Sequence, residues 1–221
     1  MSGTAAGTAE TPDTARASVI ETPVLELLSD AEVMLRVAAG DDHAFDYLVD
    51  KFRRPMNSFM YRMTRNQAVA EELAQEVFLR VYRSRQTYAA SAKFTTWLYR
   101  IAHNRLIDGF RARGRLAEFE ADMRDDEGEM PDLPAPSNEQ PERMLERAQL
   151  AGRLVSAVEA LPAPQREAFL LATEGGLTVE EIGKATGSGF ETAKSRLRYA
   201  YARLRSELCD LGDLQYSGDS R

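Results

Sequence analysis

Leu177–Leu208 reads LTVEEIGKATGSGFETAKSRLRYAYARLRSEL, and this stretch decides the fold. Thr178 followed by Glu181 is a capping box: the hydroxyl accepts from the backbone N–H three residues on, and the carboxylate reaches back to the N–H of the cap. Val179 and Ile182 give the helix that follows an apolar side. Gly187 to Gly189 predicts a short turn, because glycine enters the left-handed backbone region at no steric cost. Phe190, Ala193, Leu197, Ala200, Leu204 and Leu208 then recur at helical spacing and predict the buried stripe of a last helix. A helix, a short glycine turn and a second helix form a helix-turn-helix. With the stripe buried, Glu191, Lys194, Arg198 and Arg205 fall on the opposite face, with Ser195 and Arg196 at its flank. A basic helix of this kind fits the major groove of duplex DNA. A solvated face on a small bundle is the plainer reading of the charges alone.

Working outward, Met144, Ala148, Ala151, Val155 and Val158 predict a helix that Leu161-Pro162 ends. Pro164 suits the start of the next helix, which Gly175-Gly176 stops. Residues 116–141 contain DDEGEMPDLPAPSNEQP, an acidic, proline-rich linker that could reach about 85 Å at full extension. Upstream of it the helical period returns. Ser29 or Asp30 caps a short helix that Gly40 ends. Asp41-Asp42 opens a second one to about Arg65, with Phe45, Leu48, Val49 and Phe52 on one face, and Pro55 inside it predicts a kink or break. Asn66 caps a third helix with Leu73, Val77 and Val81 facing inward. Residues 87–93 read as a loop, and a fourth helix runs from about Phe94 to Arg113. No stretch alternates like a strand. The expected fold is all-α, with two small helical domains, 29–115 and 142–209, joined by the linker and flanked by a disordered tail at 1–28 and a short one at 210–221.

The formal net charge is -7, which alone argues against a nucleic-acid partner. Its distribution argues the other way. Residues 99–115 hold five arginines and one acid, about +4; residues 116–142 hold ten acids and one arginine, about -9; residues 189–206 hold five bases and one acid, about +4. The single cysteine, Cys209, cannot form an internal disulfide, and no apolar run is long enough to cross a bilayer, so a reducing cytoplasm and no membrane insertion are expected. The two histidines, His43 and His103, lie far from the cysteine and give no metal-ligand spacing. No nucleophile, base and orienting group converge, and there is neither a P-loop nor a dinucleotide fingerprint. The expectation is a non-enzyme without cofactor or metal.

The first basic segment, AKFTTWLYRIAHNRLIDGFRARGR (Ala92–Arg115), sets arginines among aromatics. Phe94, Leu98, Ala102, Leu106 and Phe110 form a core stripe, and Arg100, Asn104, Asp108 and Arg111 a separate polar face. Unstacked bases bind aromatic faces while arginine holds the backbone, so the segment suits single-stranded or opened nucleic acid. Trp97 taken alone also reads as an ordinary core tryptophan.

In order along the chain come GDDHAFDYLVDKF, AEELAQEVFLRVYR, FTTWLYRIAHNRLIDGFRAR, the acidic linker and ALPAPQREAFLLATEGGLTVEEIGKATGSGFETAKSRLRYAYARLR. This order resembles the extracytoplasmic-function (ECF) sigma factors of the sigma-70 superfamily, over residues 30 to 208. The resemblance implies a sigma region 2-like first domain that binds core RNA polymerase and recognises and melts the minus-ten promoter element. It implies a region 4-like second domain that reads the minus-thirty-five element. Core binding would fall to Glu72, Gln75, Glu76 and Phe78, where Glu72 replaces the family's usual aspartate. The minus-ten set would be Lys93, Trp97, Arg100, Asn104, Arg105, Asp108 and Arg111, with the 87–93 loop matching one that captures a flipped base. The minus-thirty-five set would be Glu191, Thr192, Lys194, Ser195, Arg196 and Arg198; Thr192-Ala193-Lys194 stands where the family usually has threonine-valine-lysine. The partners implied are core polymerase, promoter DNA and an anti-sigma factor. The alternatives are a helix-turn-helix regulator that acts without polymerase, and a protein-interaction module.

Overall fold

The structure is a computed structural model that describes residues 25–91, 93–117, 119 and 144–213, with side chains in the last span from 152 to 208. The greater parts of the two tails and of the acidic linker, and the side chain of Cys209, lie outside the described residues.

Eight α-helices make up the described part: α1 (Asp30–Ala38), α2 (Asp42–Thr64), α3 (Gln67–Arg83), α4 (Phe94–Ala112), α5 (Met144–Ala160), α6 (Ala163–Thr173), α7 (Val179–Thr186) and α8 (Phe190–Asp213), with a 3-10 turn at Arg85–Thr87. Their starts follow the capping chemistry. Ser29 and Glu32 form a full capping box on α1, Asp41 accepts from Ala44 N–H on α2, and Asn66 accepts from Val69 N–H on α3. Thr178 and Glu181 form the expected box on α7, and Gly187 ends that helix at φ 67°. Each such cap is worth about 1 kcal/mol.

The first four helices pack as one bundle, α2 on α1 and α3, and α3 on α4. Leu48, Met56, Phe59, Leu73, Val77, Leu98 and Leu106 fill its centre. Burying each such side chain stabilises the fold by about 2 kcal/mol. The last four helices gather around α8, which packs on α5, α6 and α7. The two groups do not stand apart. Helix α7 lies on α4 and α6 touches α2, and buried apolar residues of both groups join in one continuous core.

Several expectations change. Helix α2 runs through Pro55 without a break. The carbonyl that proline deprives of a donor belongs to exposed Lys51, while Phe52, Met56 and Phe59 are buried on either side, so packing outweighs the lost bond. The N-terminal tail stops short of residue 28: Leu25 is buried and its carbonyl accepts from Leu28 N–H. Helical backbone continues past Arg115, where Phe119 is buried and stacks on Phe110 at 5.5 Å, so the linker begins later than 116. Helix α8 extends to Asp213, beyond the boundary at 209. Phe190, expected in the buried stripe, is 50% exposed at the very start of α8, ahead of the packed turns.

Candidate nucleic-acid interface

Helix α4 is held by a stripe pointing into the first bundle: Phe94, Leu98, Ala102, Leu106 and Phe110 are all buried. At Gly109 the helix comes so near α3 that an added Cβ would lie 2.9 Å from a Leu73 methyl. The opposite side carries Arg100, Asn104 and Arg111, all exposed. Asp108 sits between two guanidinium groups. It pairs with Arg105, and Arg111 Nη1 lies 2.9 Å away, so one carboxylate orients two cations on the same face. Both pairs are local and partly exposed, which leaves the arginines at the surface.

Trp97 is half-buried in an aromatic cluster, 5.2 Å from Tyr88 and 6.1 Å from Phe94 between ring centroids. Its ring therefore braces the loop before α4. Lys93, at the end of that loop, is exposed and bonded to Glu181 of α7 at 3.0 Å.

On α8, Glu191, Thr192, Lys194 and Arg198 are exposed and Ser195 is half-buried. Lys194 lies near both Glu191 and the Phe190 ring, and Arg198 near the Tyr199 ring. Arg196 is different. It is only 6% exposed, turned toward α4, where its charge acts on His103. The expectation that Arg196 lies on the accessible flank of α8 is corrected. A flank position on an isolated helix becomes an internal one in the packed fold.

A third surface lies on the far side of the first bundle. Phe45 and Val49 of α2 and Ala74, Gln75, Phe78 and Leu79 of α3 line a groove of about 740 Å³, rimmed by Asp42, Asp46 and Glu71. Glu72, Gln75 and Glu76 are exposed and Phe78 is half-buried beside them. Glu72 is anchored by Arg113 at the end of α4, at 2.6 Å.

No sequence signal announces the contacts between the two helical groups. Arg62 Nε of α2 lies 2.8 Å from Glu174, and His103 Nδ1 of α4 lies 2.7 Å from Glu167, which is 1% exposed. Burial depresses the His103 pKa, but the charge and hydrogen bond of Glu167 outweigh it, even against Arg196, and the net shift is upward. Burial, with the Glu174 charge, pushes the Tyr99 phenol up to about 12. Burial also raises Glu181, yet the hydrogen bonds from Thr178 and Lys93 prevail and lower it. Among the described residues no cluster of His, Cys, Asp and Glu could hold a metal ion, and no helix is long and apolar enough to cross a membrane.

These surfaces define a class: an all-helical protein with a helix-turn-helix, two helices that carry exposed cations, and a groove lined largely by apolar side chains. The Sigma-70 region 2 family matches residues 48–116, and the Sigma-70, region 4 family matches residues 151–204. The ECF RNA polymerase sigma factor SigE of Mycolicibacterium smegmatis is 35% identical over 77% of this chain, a match that spans 65% of that relative. The ECF RNA polymerase sigma factor SigW of Bacillus subtilis is 31% identical over 80% of this chain and 95% of its own length. The sigma factor RpoE of Bartonella quintana, solved in complex with the anti-sigma factor NepR, shares the fold at a TM-score of 0.54 and 21% identity, over 75% of this chain and 96% of that one. The chain belongs to the ECF family of RNA polymerase sigma factors.

Proposed function

We propose that this chain is an initiation subunit that binds core RNA polymerase in the cytoplasm and directs it to promoters through two DNA-reading domains, 29–115 and 142–209. The polymerase supplies the chemistry of RNA synthesis; this chain supplies position. Its docking face is α3, where Gln75 and Phe78 line the groove and Glu72 and Glu76 lie exposed on the same helix. An apolar cleft with an acidic rim suits a helical polymerase element that carries both apolar and basic side chains. The same surface is the natural target of an anti-sigma factor, whose binding would exclude core.

Minus-ten recognition falls to α4. Asn104 offers an amide to base edges, Arg100, Arg105 and Arg111 hold phosphates, and Lys93 and Trp97 flank the loop that receives an unstacked base. Minus-thirty-five recognition falls to α8, with Thr192, Ser195, Lys194 and Arg198 on phosphates and guanine edges, joined by Arg196 once α4 has moved away. Glu191 can accept from a cytosine amino group.

The observation that carries this reading is that Gln75 and its neighbours are exposed around an apolar groove, on a different side of the bundle from the cations of α4. A regulator working without polymerase has no use for such a face. Purified chain mixed with core polymerase and promoter fragments is expected to give specific run-off transcripts, which Phe78→Ala abolishes while duplex binding by the free chain persists. A chain that binds promoter fragments but not core would be the polymerase-independent regulator instead.

A further inference from the structure

We propose that Phe190, at the head of α8, is a specificity-determining residue that packs on the 5-methyl group of a thymine in the minus-thirty-five element. Resting on the sigma-factor reading of α8, it gives that helix an apolar base contact beside its polar ones.

Burying a phenylalanine ring is among the larger stabilising steps open to a small domain. Phe190 does without it. The residue is 50% exposed, whereas Ala193, Ala200 and Leu204 further along the same helix are buried. What surrounds the ring is charge. Lys194 stands one turn on, about 40° away around the helix axis, and its Nζ lies 5.9 Å from the ring centroid. Lys194 also reaches Glu191 at 3.7 Å, and Arg198, a further turn along, is exposed. Phe190, Glu191, Lys194 and Arg198 therefore make one exposed strip, with the ring at its leading end. The turn before it leaves the approach open: an added Cβ at Gly187 or Gly189 would meet no atom within 4 Å.

An apolar ring alone would fit a protein partner, but a ring in line with Lys194 and Arg198 fits a polyanion that also carries an apolar group. Duplex DNA has such a group. In the major groove the thymine methyl is the apolar feature of the base edges, and phenylalanine is among the side chains that contact it. The first residues of a recognition helix are those that reach base edges, and Phe190 is the first residue of α8. With the cations on phosphates, the ring is carried to the floor of the groove. Contact with the methyl takes apolar surface of both partners out of water. A cytosine in its place would lose that contact and bring an amino donor that the ring leaves unpaired.

The test uses deoxyuridine, which differs from thymidine only in lacking the 5-methyl group. The full chain with core polymerase selects duplexes from a library randomised across the minus-thirty-five region, and each thymine of the selected element is then replaced by uracil in turn. One replacement is expected to weaken wild-type binding about fourfold, the effect of one methyl returned to water. Phe190→Ala should bind the thymine duplex at least about fourfold more weakly and no longer distinguish thymine from uracil at that position. Phe190→Leu, which keeps an apolar contact, should retain part of the discrimination. The ring meets no phosphate, so the salt slope of Phe190→Ala is expected to match that of the wild type. Wild-type binding indifferent to every uracil, a Phe190→Ala variant that discriminates as the wild type does, an altered salt slope, or loss of core binding in that variant would each overturn the proposal. Circular dichroism monitors folding, and Phe190→Leu carries the test if Phe190→Ala does not fold. A wild-type chain that binds no core polymerase would instead remove the sigma-factor reading, and the assignment of Phe190 with it.

Discussion

Glu167→Gln tests the chemistry at the centre of the domain interface. The carboxylate is almost wholly buried, and its Oε1 lies 2.7 Å from His103 Nδ1. Three influences act on the imidazole. Burial depresses its pKa, the charge and hydrogen bond of Glu167 raise it, and Arg196 lowers it; the sum is a rise above the ordinary value. A group whose folded pKa exceeds its unfolded one stabilises the fold fully below the unfolded value, about 6.5 for histidine. That contribution is lost as pH climbs through the raised folded value. Glutamine has nearly the shape of glutamate and can still accept from a neutral imidazole. What the substitution removes is the charge-assisted part of the bond, about 1–2 kcal/mol.

At an m-value of about 2 kcal/mol per molar urea, this is a midpoint shift of about 0.5–1 M. Urea melts of the full chain at about pH 5.5, 7 and 8.5, followed by circular dichroism, would measure it. The gap between wild type and Glu167→Gln should be widest at the acid end and close toward the alkaline end, where His103 is neutral in both proteins. A gap that stays constant, or that widens with pH, would refute the assignment of a protonated His103 to this interface.

Arg198→Ala removes an exposed cation from α8 and is expected to leave the melting temperature unchanged while reducing the salt slope of duplex binding by about one unit; an unaltered slope in an anisotropy titration would place α8 away from the phosphates. Asn104→Ala should impair opening of the minus-ten element, read by permanganate reactivity of unpaired thymines, with core binding intact; loss of core binding would contradict its place on the DNA face. Gly109→Ala brings a methyl to 2.9 Å from Leu73 at the α3–α4 crossing. The gain in helix propensity is about 1 kcal/mol and the cost of overpacking about 1–3, so a net loss of about 1 kcal/mol is expected in thermal melts; a stabilised variant would mean that Leu73 yields freely.

The parts of the fold governed by neighbours in sequence were legible. Thr178 and Glu181, Asn66 and Val69, and the Gly187 turn are interactions within four residues, so residue type and spacing suffice to find them. Helix α4's stripe was legible because its period is complete. The effect of Pro55 was only partly legible, because the sequence states the cost of a missing N–H but not that buried Phe52 and Phe59 hold the helix unbroken on both sides. Arg196 was misplaced for a related reason. Helical projection puts it beside the exposed face of α8, and only the packing of the folded chain makes that flank interior. The proposed docking surface around Gln75 rests on family resemblance; no periodicity distinguishes an open apolar groove from a closed one.

The uneven charge along the chain follows from the same geometry. An acidic protein that must touch DNA can concentrate cations on the reading helices, but bare cations on a free subunit would attract any duplex in the cell. Here part of the acid excess is folded against the first domain. Glu167, Glu174 and Glu181 come from α6, α7 and the turn between them, ahead of the cationic face of α8, and each meets a base on α2, on α4 or just before it. The carboxylates of α6, α7 and the turn between them thus face the first domain, while Lys194 and Arg198 of α8 stay exposed. The Arg62–Glu174 and Lys93–Glu181 pairs are partly exposed and contribute about 0–1 kcal/mol each, whereas Glu167 is almost wholly buried against His103.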